Sequence, residues 1–333
     1  MTLMFLKFIE YILYSMIYDL STQACPGQLL LKEVNMAKPI SIIGVPMDFG
    51  QMLRGVDMGP AALRYTGLIS RLRRLGHDVK DEGDIPIPVR DDDPAMEGMT
   101  DRYVKEITQI SHDVYKTGCR VMDQDRVPIF LGGDHAIAIG TVASVTVKAP
   151  VGLIWVDAHA DFNTPQTSPS GNIHGMPLAV LTGDGHPCLV DAGHPGTKIS
   201  SDNVVMIGQR DLDPGEKERI KSSGISIFTM RDIDEQGISA IAAKIMVQFA
   251  HLKRFHLSLD MDALDPIEAP GVGTPVPGGI SYREAHLLME LLADSGKLGS
   301  MDLVEINPIL DVANKTSKLA VELILSALGK SIL

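Results

Sequence analysis

The stretch that decides the fold runs from Val151 to Asn163 and reads V-G-L-I-W-V-D-A-H-A-D-F-N. Its first half is a continuous apolar run, which is typical of a strand buried on both faces of a parallel sheet. Its second half places Asp157, His159 and Asp161 at alternate positions, and alternate side chains of an extended segment point to the same side. Two carboxylates held this close repel each other unless a positive charge lies between them. The stretch therefore predicts a buried strand that ends in a cation site.

The rest of the chain repeats this alternation of short apolar runs with longer helical patterns. Besides the central run, the predicted strands are I-S-I-I-G-V, V-P-I-F-L-G-G, N-V-V-M-I-G, I-S-I-F-T-M, F-H-L-S-L-D and M-D-L-V-E-I-N. The predicted helices are Pro60 to Leu75, Asp101 to Asp125, Ile238 to His251 and Ser281 to Ala293. Near-continuous apolar strands that alternate with helices predict a parallel sheet covered on both faces. We therefore expect an α/β protein built as a single three-layer domain, with a mostly parallel sheet and helices on both faces.

The beginning of the chain differs from the rest. The segment M-T-L-M-F-L-K-F-I-E-Y-I-L-Y-S-M-I-Y-D-L is rich in large apolar residues, but charged residues interrupt it. The longest uncharged run between those charges, Tyr11 to Tyr18, is too short to cross a bilayer, so we expect no stable membrane insertion. Met36 opens M-A-K-P-I-S-I-I-G-V-P, which contains the first predicted strand. We interpret residues 1–35 as an N-terminal extension and residues 36–333 as one domain without an internal linker or repeat.

The charge and the cysteine content narrow the classes of partner and of compartment. A formal net charge of −12 argues against nonspecific binding to nucleic acid, which needs a basic surface, and favours cationic small molecules. The three cysteines, Cys25, Cys119 and Cys188, are scattered and odd in number. This pattern argues against a disulfide framework and indicates the reducing cytoplasm.

Acidic and histidine side chains follow four of the predicted strands. V-P-I-F-L-G-G is followed by Asp134 and His135, F-H-L-S-L by Asp260 and Asp262, and M-D-L-V by Glu305, in addition to the residues after the central run. Ligands of a parallel sheet bind outside the carboxyl ends of the strands, so these side chains are expected to share one rim. Each acid could instead cap the next helix. For Asp134 we expect capping, because two glycines precede it and a helical run follows it.

Four aspartates and two histidines at this rim are candidate metal ligands: His135, Asp157, His159, Asp161, Asp260 and Asp262. Buried carboxylates without a partner are costly. A mixture of carboxylates and imidazoles suits divalent ions such as manganese better than a thiolate site would. One divalent ion would leave two of the four negative charges uncompensated, whereas two ions neutralise all four. The sequence therefore predicts a pair of metal ions.

Five ordered motifs, G-G-D-H-A, W-V-D-A-H-A-D-F-N, S-G-N-I-H-G-M-P, S-L-D-M-D-A-L-D-P and V-E-I-N-P, resemble the signature motifs of the ureohydrolases, and most closely those of the bacterial arginases. The likeness includes G-V-P-M-D-F-G-Q near residue 45 and G-V-G-T-P-V-P-G-G at residues 271–279, and it covers essentially Met36 to Leu333. It implies an arginase/deacetylase-like fold, manganese-dependent hydrolysis of the guanidinium group of L-arginine to L-ornithine and urea, and assembly as a homotrimer or homohexamer.

The resemblance also implies two Mn²⁺ ions per chain and a place for each ligand. One ion would be bound by His135, Asp157, Asp161 and Asp260, and the other by Asp157, His159, Asp260 and Asp262. Asp157 and Asp260 would thus bridge the pair. In this family a hydroxide that bridges the ions attacks the guanidinium carbon, because metal binding lowers the pKa of water. Asp161 would orient this hydroxide.

The catalytic residues that the resemblance implies are Asp161, His174 and Glu305. His174, in G-N-I-H-G, matches the family histidine that shuttles protons and helps the amine to leave, although by itself it reads as an ordinary loop histidine. Glu305 matches the acid that binds the substrate guanidinium, with which a carboxylate can pair through two hydrogen bonds.

Substrate selection is expected in the loop Phe162 to Met176. Asn163, Ser170 and Asn172 correspond to family residues that contact the α-carboxylate of arginine. Asp213 corresponds to a residue near the α-amino group, and D-P-G-E at residues 213–216 also reads as a helix capping box. The predicted substrate-binding set is Asn163, Ser170, Asn172, Asp213, Thr274 and Glu305.

Three other functions compete with this interpretation. An agmatinase, or another ureohydrolase of guanidino substrates, shares the metal core, but it needs no loop that binds a carboxylate. A single-zinc amide deacetylase has a related architecture, but the complete second ligand set, His159 and Asp262, argues against it. A protein that keeps the site only for stability would have little reason to retain His174 and Glu305, which are not predicted to bind metal.

Overall fold

In the part of the chain that the structure describes, eight strands form one sheet in which neighbouring strands run parallel. In chain order they are β1 (Pro39–Val45), β2 (Asp78–Asp84), β3 (Val127–Gly132), β4 (Gly152–Val156), β5 (Val204–Ile207), β6 (Ser226–Phe228), β7 (Phe255–Asp260) and β8 (Leu298–Val304). Their spatial order is β2-β1-β3-β8-β7-β4-β5-β6. Each neighbouring pair is parallel. The prediction of a mostly parallel sheet is confirmed.

The structure is a computed structural model that describes residues 37–90 and 102–331. The N-terminal extension proposed for residues 1–35 lies outside the described residues, and so does Asp101, where a predicted helix begins. Within the described ranges, no helix combines the length and the apolar character needed to cross a membrane.

Eleven α-helices connect the strands in these ranges. They are α1 (Gly59–Tyr65), α2 (Leu68–Arg74), α3 (Val104–Asp123), α4 (Ala138–Thr146), α5 (Pro177–Leu181), α6 (Pro187–Val190), α7 (Pro214–Ser223), α8 (Met230–Gln236), α9 (Ile238–Gln248), α10 (Tyr282–Asp294) and α11 (Lys315–Ala327). The helices predicted at Asp101 to Asp125, Ile238 to His251 and Ser281 to Ala293 correspond to α3, α9 and α10.

Helices pack on both faces of the sheet. Successive side chains of a strand point to opposite faces, so neighbouring residues of β1 enter different cores. Ile42 packs in one cluster with Leu63 of α1 and Leu323 of α11. Ile43 packs in another cluster with Ile107 of α3. Both faces of the sheet are thereby removed from water, which explains the continuous apolar sequences of the strands. The predicted three-layer α/β class is confirmed.

The structure differs from two details of the sequence interpretation. β2 has the polar sequence D-V-K-D-E-G-D and was not predicted, because it is an edge strand in which Val79 is the one buried residue. The helix predicted from Pro60 to Leu75 is two helices, α1 and α2. Gly67 lies between them with a φ of 82°, a left-handed conformation that glycine adopts without the steric cost of a side chain. The helical pattern continues across this break, but the backbone does not.

The carboxyl ends of the parallel strands meet at one edge of the sheet. The centre of the sheet is formed by four adjacent strands in the order β3-β8-β7-β4, and none of them lies at an edge. The candidate residues that follow these four strands in the sequence are therefore held at one rim by the most deeply buried part of the fold.

Candidate active site

The loop after β3 carries His135, and hydrogen bonds of the neighbouring Asp134 side chain fix the backbone of this loop. Asp134 caps the 3₁₀ turn His135–Ile137, since its side chain accepts a hydrogen bond from the backbone N–H of Ala136 at 3.0 Å. Asp134 also accepts one from the backbone N–H of Gly50 at 2.7 Å. The capping role predicted for Asp134 is confirmed, and it places the His135 ring over the end of the sheet.

His135 lies at the centre of a first cluster of carboxylates. Its Nδ1 atom is 3.1 Å from Asp157 Oδ2, 3.1 Å from Asp161 Oδ2 and 3.3 Å from Asp260 Oδ2. This buried nitrogen makes no hydrogen bond of acceptable geometry with any described residue. A divalent cation satisfies such an arrangement, because it accepts the nitrogen lone pair and offsets the negative charges. The residues present therefore fit a metal ion.

His159 and Asp262 form a second cluster with Asp157. The Nδ1 atom of His159 is 3.0 Å from Asp262 Oδ2 and 3.6 Å from Asp157 Oδ1. The potential ligand atoms of His135, Asp157 and Asp260 lie within 4.8 Å of one another, as do those of Asp157, His159 and Asp262, so Asp157 belongs to both groups. Asp260 groups with the first cluster, so its bridging position stays a prediction. The two oxygens of Asp157 face different histidines, as expected of a residue shared by two ions.

The carboxylates perturb one another's ionisation. Burial and the charge of Asp157 raise the pKa of Asp161 to about 6. Burial, together with neighbouring carboxylates, raises the pKa of Asp260 as well. Burial by itself would also raise the pKa of Asp157, but the close contacts with the His135 and His159 rings outweigh it and lower that pKa. Positive charge at this position would favour the ionised form of all these carboxylates.

Trp155 holds two members of the first cluster in place, and the sequence interpretation assigned it no role. Its ring stacks on the ring of His135 with 3.9 Å between centroids and 9° between planes. Its Nε1 atom donates a hydrogen bond to Asp157 Oδ2 at 3.0 Å. A signal was present, because Trp155 precedes Asp157 by two positions and so shares its side of the strand.

Glu305 lies behind the clusters and links three segments of the chain. Its Oε1 atom accepts hydrogen bonds from the backbone N–H of His135 at 2.9 Å and from the Nδ1 atom of His174 at 3.0 Å. Its Oε2 atom accepts one from Gln51 Nε2 at 2.8 Å. The contact with Glu305 raises the pKa of His174 to about 9, although burial alone would lower it. Gln51 belongs to the G-V-P-M-D-F-G-Q motif but was not among the predicted site residues.

A cavity of about 270 Å³ adjoins both clusters. Most of the predicted site residues line it, namely His159, Asp161, Asn163, Ser170, Asn172, His174, Asp213, Asp260, Asp262 and Thr274. Glu305 does not line it and is 1% exposed. A larger cavity of about 720 Å³ lies along α3 and contains none of the predicted residues. The smaller cavity is the candidate active site, because it combines perturbed titratable groups with converging polar side chains.

One wall of the cavity is fastened to α7. Asn163 Nδ2 donates a hydrogen bond to Asp213 Oδ2 at 2.9 Å, and Asn163 Oδ1 accepts one from Thr167 at 2.9 Å. The predicted capping box of α7 is confirmed, with Asp213 at the N-cap and Glu216 accepting a hydrogen bond from the Asp213 backbone N–H. Glu216 also accepts one from the backbone N–H of Phe162 at 2.9 Å. The sequence identified Glu216 only as a cap, but it lines the cavity too.

The other predicted substrate-binding residues differ from one another in their exposure and in their hydrogen bonds. Ser170 is exposed at the rim, whereas Asn172 Oδ1 accepts a hydrogen bond from Arg102 Nη2 at 3.2 Å. Thr274 Oγ1 donates a hydrogen bond to Asp262 Oδ2 at 2.9 Å, so this residue contacts a candidate metal ligand as well as the cavity. Ser168 also lines the cavity and was not predicted. Nothing in its loop sequence distinguishes it from its neighbours.

The fold and these clusters define an α/β protein whose parallel sheet carries carboxylate and imidazole groups able to hold divalent metal ions. The chain belongs to the arginase family, because the Arginase family profile matches residues 38–329. The arginase of Bacillus caldovelox is 49% identical over 301 residues, which cover 89% of this chain and 100% of the relative. The arginase of Bacillus subtilis is 49% identical over 302 residues, covering 90% of this chain and 100% of the relative.

Solved structures show the same similarity. The native structure of the Bacillus caldovelox arginase superposes with a TM-score of 0.86, covering 89% of this chain and 100% of that one. The structure of the Entamoeba histolytica arginase in complex with L-ornithine is 33% identical and superposes with a TM-score of 0.81, covering 88% of this chain and 99% of that one. The predicted ureohydrolase resemblance is confirmed.

Proposed function

We propose that this chain is an arginase, which hydrolyses the guanidinium group of L-arginine to L-ornithine and urea. The observation that carries this proposal is the meeting of the two clusters, which share Asp157, with the polar loop that lines the same cavity. The similarity to bacterial arginases over almost the whole chain supports it independently.

We further propose that two Mn²⁺ ions bind per chain at the predicted ligands. The first set is His135, Asp157, Asp161 and Asp260, and the second is Asp157, His159, Asp260 and Asp262. Bound divalent ions would lower the pKa of a water from about 15.7 to about 7 and so supply a nucleophile at neutral pH. The buried Nδ1 atom of His135, which has no hydrogen-bond partner among the described residues, supports this proposal.

The chain's own residues orient the reactants and move the proton. Asp161 accepts a hydrogen bond from the attacking water and directs its oxygen towards the guanidinium carbon. As the new carbon–oxygen bond forms, the bond from that carbon to the side-chain nitrogen of arginine breaks. His174 donates one proton to this leaving nitrogen, and its contact with Glu305, which raises its pKa, supplies it in the protonated form before substrate binds. Of the two protons of the water, one reaches the same nitrogen through Asp161 and the other restores His174. Ornithine leaves with a protonated amine, and urea keeps the guanidinium carbon.

Substrate recognition is proposed to use both sides of the cavity. Asn163, Ser170 and Asn172 would donate to the α-carboxylate, while Asp213 would accept from the α-amino group, and Thr274 lies beside the second cluster. Glu305 is proposed to bind the guanidinium group. In the described structure its oxygens are occupied by His135, His174 and Gln51, so the guanidinium must share them or displace His174.

The test of the function is a comparison of two substrates. We expect urea release from L-arginine in the presence of Mn²⁺, and far slower release from agmatine, which lacks the α-carboxylate. Polar groups of the loop would stay unpaired with agmatine, and unpaired buried groups strongly disfavour such an analogue. Comparable turnover of agmatine would identify an agmatinase instead.

The test of the metal proposal is the metal content of ligand variants. Asp157→Asn is expected to reduce binding of both ions, because Asp157 belongs to both clusters. His135→Asn is expected to release mainly one. Elemental analysis of the purified chains measures the number of ions, and a fully active chain with a single ion would contradict the two-metal proposal.

We also propose that the chain assembles as a homotrimer or homohexamer and is located in the cytoplasm. The family resemblance supports the assembly, and the scattered cysteines support the reducing compartment. Sedimentation velocity of the purified chain measures the number of subunits, and a monomer at micromolar concentration would contradict the proposed assembly.

A further inference from the structure

A buried chain of hydrogen bonds leads from His135 into the sheet, away from the cavity. The Nε2 atom of His135 lies 2.8 Å from Ser258 Oγ, and Ser258 Oγ donates a hydrogen bond to Asp302 Oδ1 at 2.5 Å. His135, Ser258 and Asp302 are each 0% exposed. The parallel register of β7 and β8 places Ser258 directly beside Asp302. No step of the proposed reaction uses Ser258 or Asp302.

The direction of these hydrogen bonds determines where the hydrogen of a neutral His135 ring lies. A carboxylate has no proton to give, so the Ser258 hydroxyl must be the donor to Asp302. That hydroxyl has a single proton, so towards His135 it can only accept. The neutral ring therefore carries its hydrogen on Nε2, and its Nδ1 lone pair faces the oxygens of Asp157, Asp161 and Asp260.

The far side of Asp302 is saturated by two further donors. Asp302 Oδ2 accepts hydrogen bonds from Thr141 Oγ1 at 2.6 Å and from His256 Nε2 at 2.9 Å. The other ring nitrogen of His256 pairs with Ser300 Oγ at 2.8 Å. Although burial by itself raises the pKa of Asp302, the contacts with His256 and Ser258 hold it below its ordinary value. Asp302 is thus a fixed buried negative charge.

We propose that Asp302, acting through Ser258, is a positioning residue that holds His135 as the Nε2–H tautomer and thereby sets the affinity of the metal site to which His135 contributes. Histidine ligands generally donate their second ring N–H to a carboxylate or a carbonyl, which fixes the tautomer and increases the basicity of the ligating nitrogen. Here a serine hydroxyl relays that interaction. The inference rests on the proposed metal-dependent function.

The proposal predicts different effects of substitutions at the two ends of the buried hydrogen-bond network. Loss of Ser258 or of the Asp302 charge acts on His135, whereas loss of Ser300 acts only on His256, at the opposite end. Ser258 and Ser300 are both serines of central strands and are 0% and 2% exposed. Ser300→Ala is therefore the matched control, since it removes a buried hydroxyl of the same network without touching the link to His135.

The experiment titrates Mn²⁺ into the full chain after removal of metal by a chelator, and follows free Mn²⁺ by electron paramagnetic resonance. For Ser258→Ala and Asp302→Asn, we expect one of the two sites to lose affinity by about 10–100-fold while the other keeps its affinity. Ser300→Ala is expected to bind both ions as the wild type does. Circular dichroism and thermal unfolding of the three variants report folding, and either folded variant of Ser258 or Asp302 suffices for the test.

The outcomes separate the two levels of inference. Wild-type binding by folded Ser258→Ala and Asp302→Asn chains would overturn the positioning role of Asp302. An equal loss of affinity in Ser300→Ala would also overturn it, because the network would then act only through stability. A wild-type chain that binds no Mn²⁺ would instead overturn the proposed metal-dependent function.

Discussion

Asp161 and Glu305 adopt left-handed backbone conformations, with φ angles of 49° and 63°. Residues other than glycine pay about 1–2 kcal/mol for this conformation. Aspartate tolerates it better than most, and Asp161→Asn would preserve both the backbone preference and the shape of the side chain. Strain at two proposed catalytic residues is consistent with selection of their side-chain positions over local stability.

Asn163 is the residue at which substrate preference is best tested. Its amide is held on both sides, by Asp213 and by Thr167, so its position is fixed before substrate binds. We expect Asn163→Ala to weaken arginine binding by about 1–3 kcal/mol, while turnover of agmatine and metal content change little. Steady-state kcat and KM for both substrates measure the effect. Ser170→Ala is expected to act in the same direction but less, because Ser170 is exposed.

The control for this comparison is Ser222→Ala, an exposed serine of α7 outside the cavity. It should leave both substrates unaffected. An unchanged ratio of arginine to agmatine turnover in Asn163→Ala would show that the recognition loop is wrongly assigned.

His174 links the site to the pH dependence of stability. Its pKa is about 9 in the folded chain against an ordinary value of 6.5, so the folded state binds the proton more tightly. This stabilisation is fully present below about pH 6.5 and is lost as the pH rises through about 9. We expect the free energy of unfolding of the metal-free wild type to fall by up to about 3 kcal/mol more across this window than that of His174→Asn. Urea denaturation at several pH values measures the difference, and parallel curves would contradict the His174–Glu305 pairing.

Sequence patterns identified the residues that face the cavity better than those behind it. Asp157, His159 and Asp161 were visible because metal-competent groups alternate in a short stretch. Ser258 and Asp302 escaped because both lie inside their strands rather than after the strand ends, and the two are 44 positions apart. Their contact depends on the register of β7 and β8, which no local pattern encodes. The alternation of His256, Ser258 and Asp260 was the one available signal.

At the scale of the elements, the cap of α10 illustrates how local sequence fixes a helix boundary. Ser281 is the N-cap and shares reciprocal hydrogen bonds with Glu284. We expect Ser281→Ala to lower the free energy of unfolding by about 1 kcal/mol, since the N–H of Glu284 would lose its acceptor. Chemical denaturation measures this loss. Activity per folded chain should stay at the wild-type level, and a variant as stable as the wild type would show that the cap is dispensable.

The type of an element was predictable where burial imposes a pattern on its sequence. It was not predictable where the element is exposed or where a single backbone angle decides. The central strands are buried on both faces and show continuous apolar sequences. β2 lies at an edge, exposes most of its residues and reads as a loop. The break at Gly67 depends on one backbone angle, which the apolar spacing of α1 and α2 does not report.

At the scale of the whole molecule, the family match begins at residue 38 and the first strand at Pro39. We expect a chain that starts at Met36 to keep its activity, its metal content and its unfolding midpoint, because the sheet, its helices and the cavity, as far as the structure describes them, are built from residues 37 onward. Expression of this shortened chain beside the full chain, with equal assays of urea release, measures this. Loss of folding on removal of residues 1–35 would contradict it.

Because the strands run in one direction, the cavity and the start of β1 lie at opposite edges of the sheet. All eight strands run towards the edge that holds the cavity, so β1 starts at the opposite edge. Its 7 residues, at roughly 3.3 Å each, place that start about 20 Å from the rim. A chain shortened to Met36 and coupled through its amino terminus to a solid support would therefore turn its cavity towards the solution. Immobilisation through this end is expected to leave diffusion of arginine to the site unhindered.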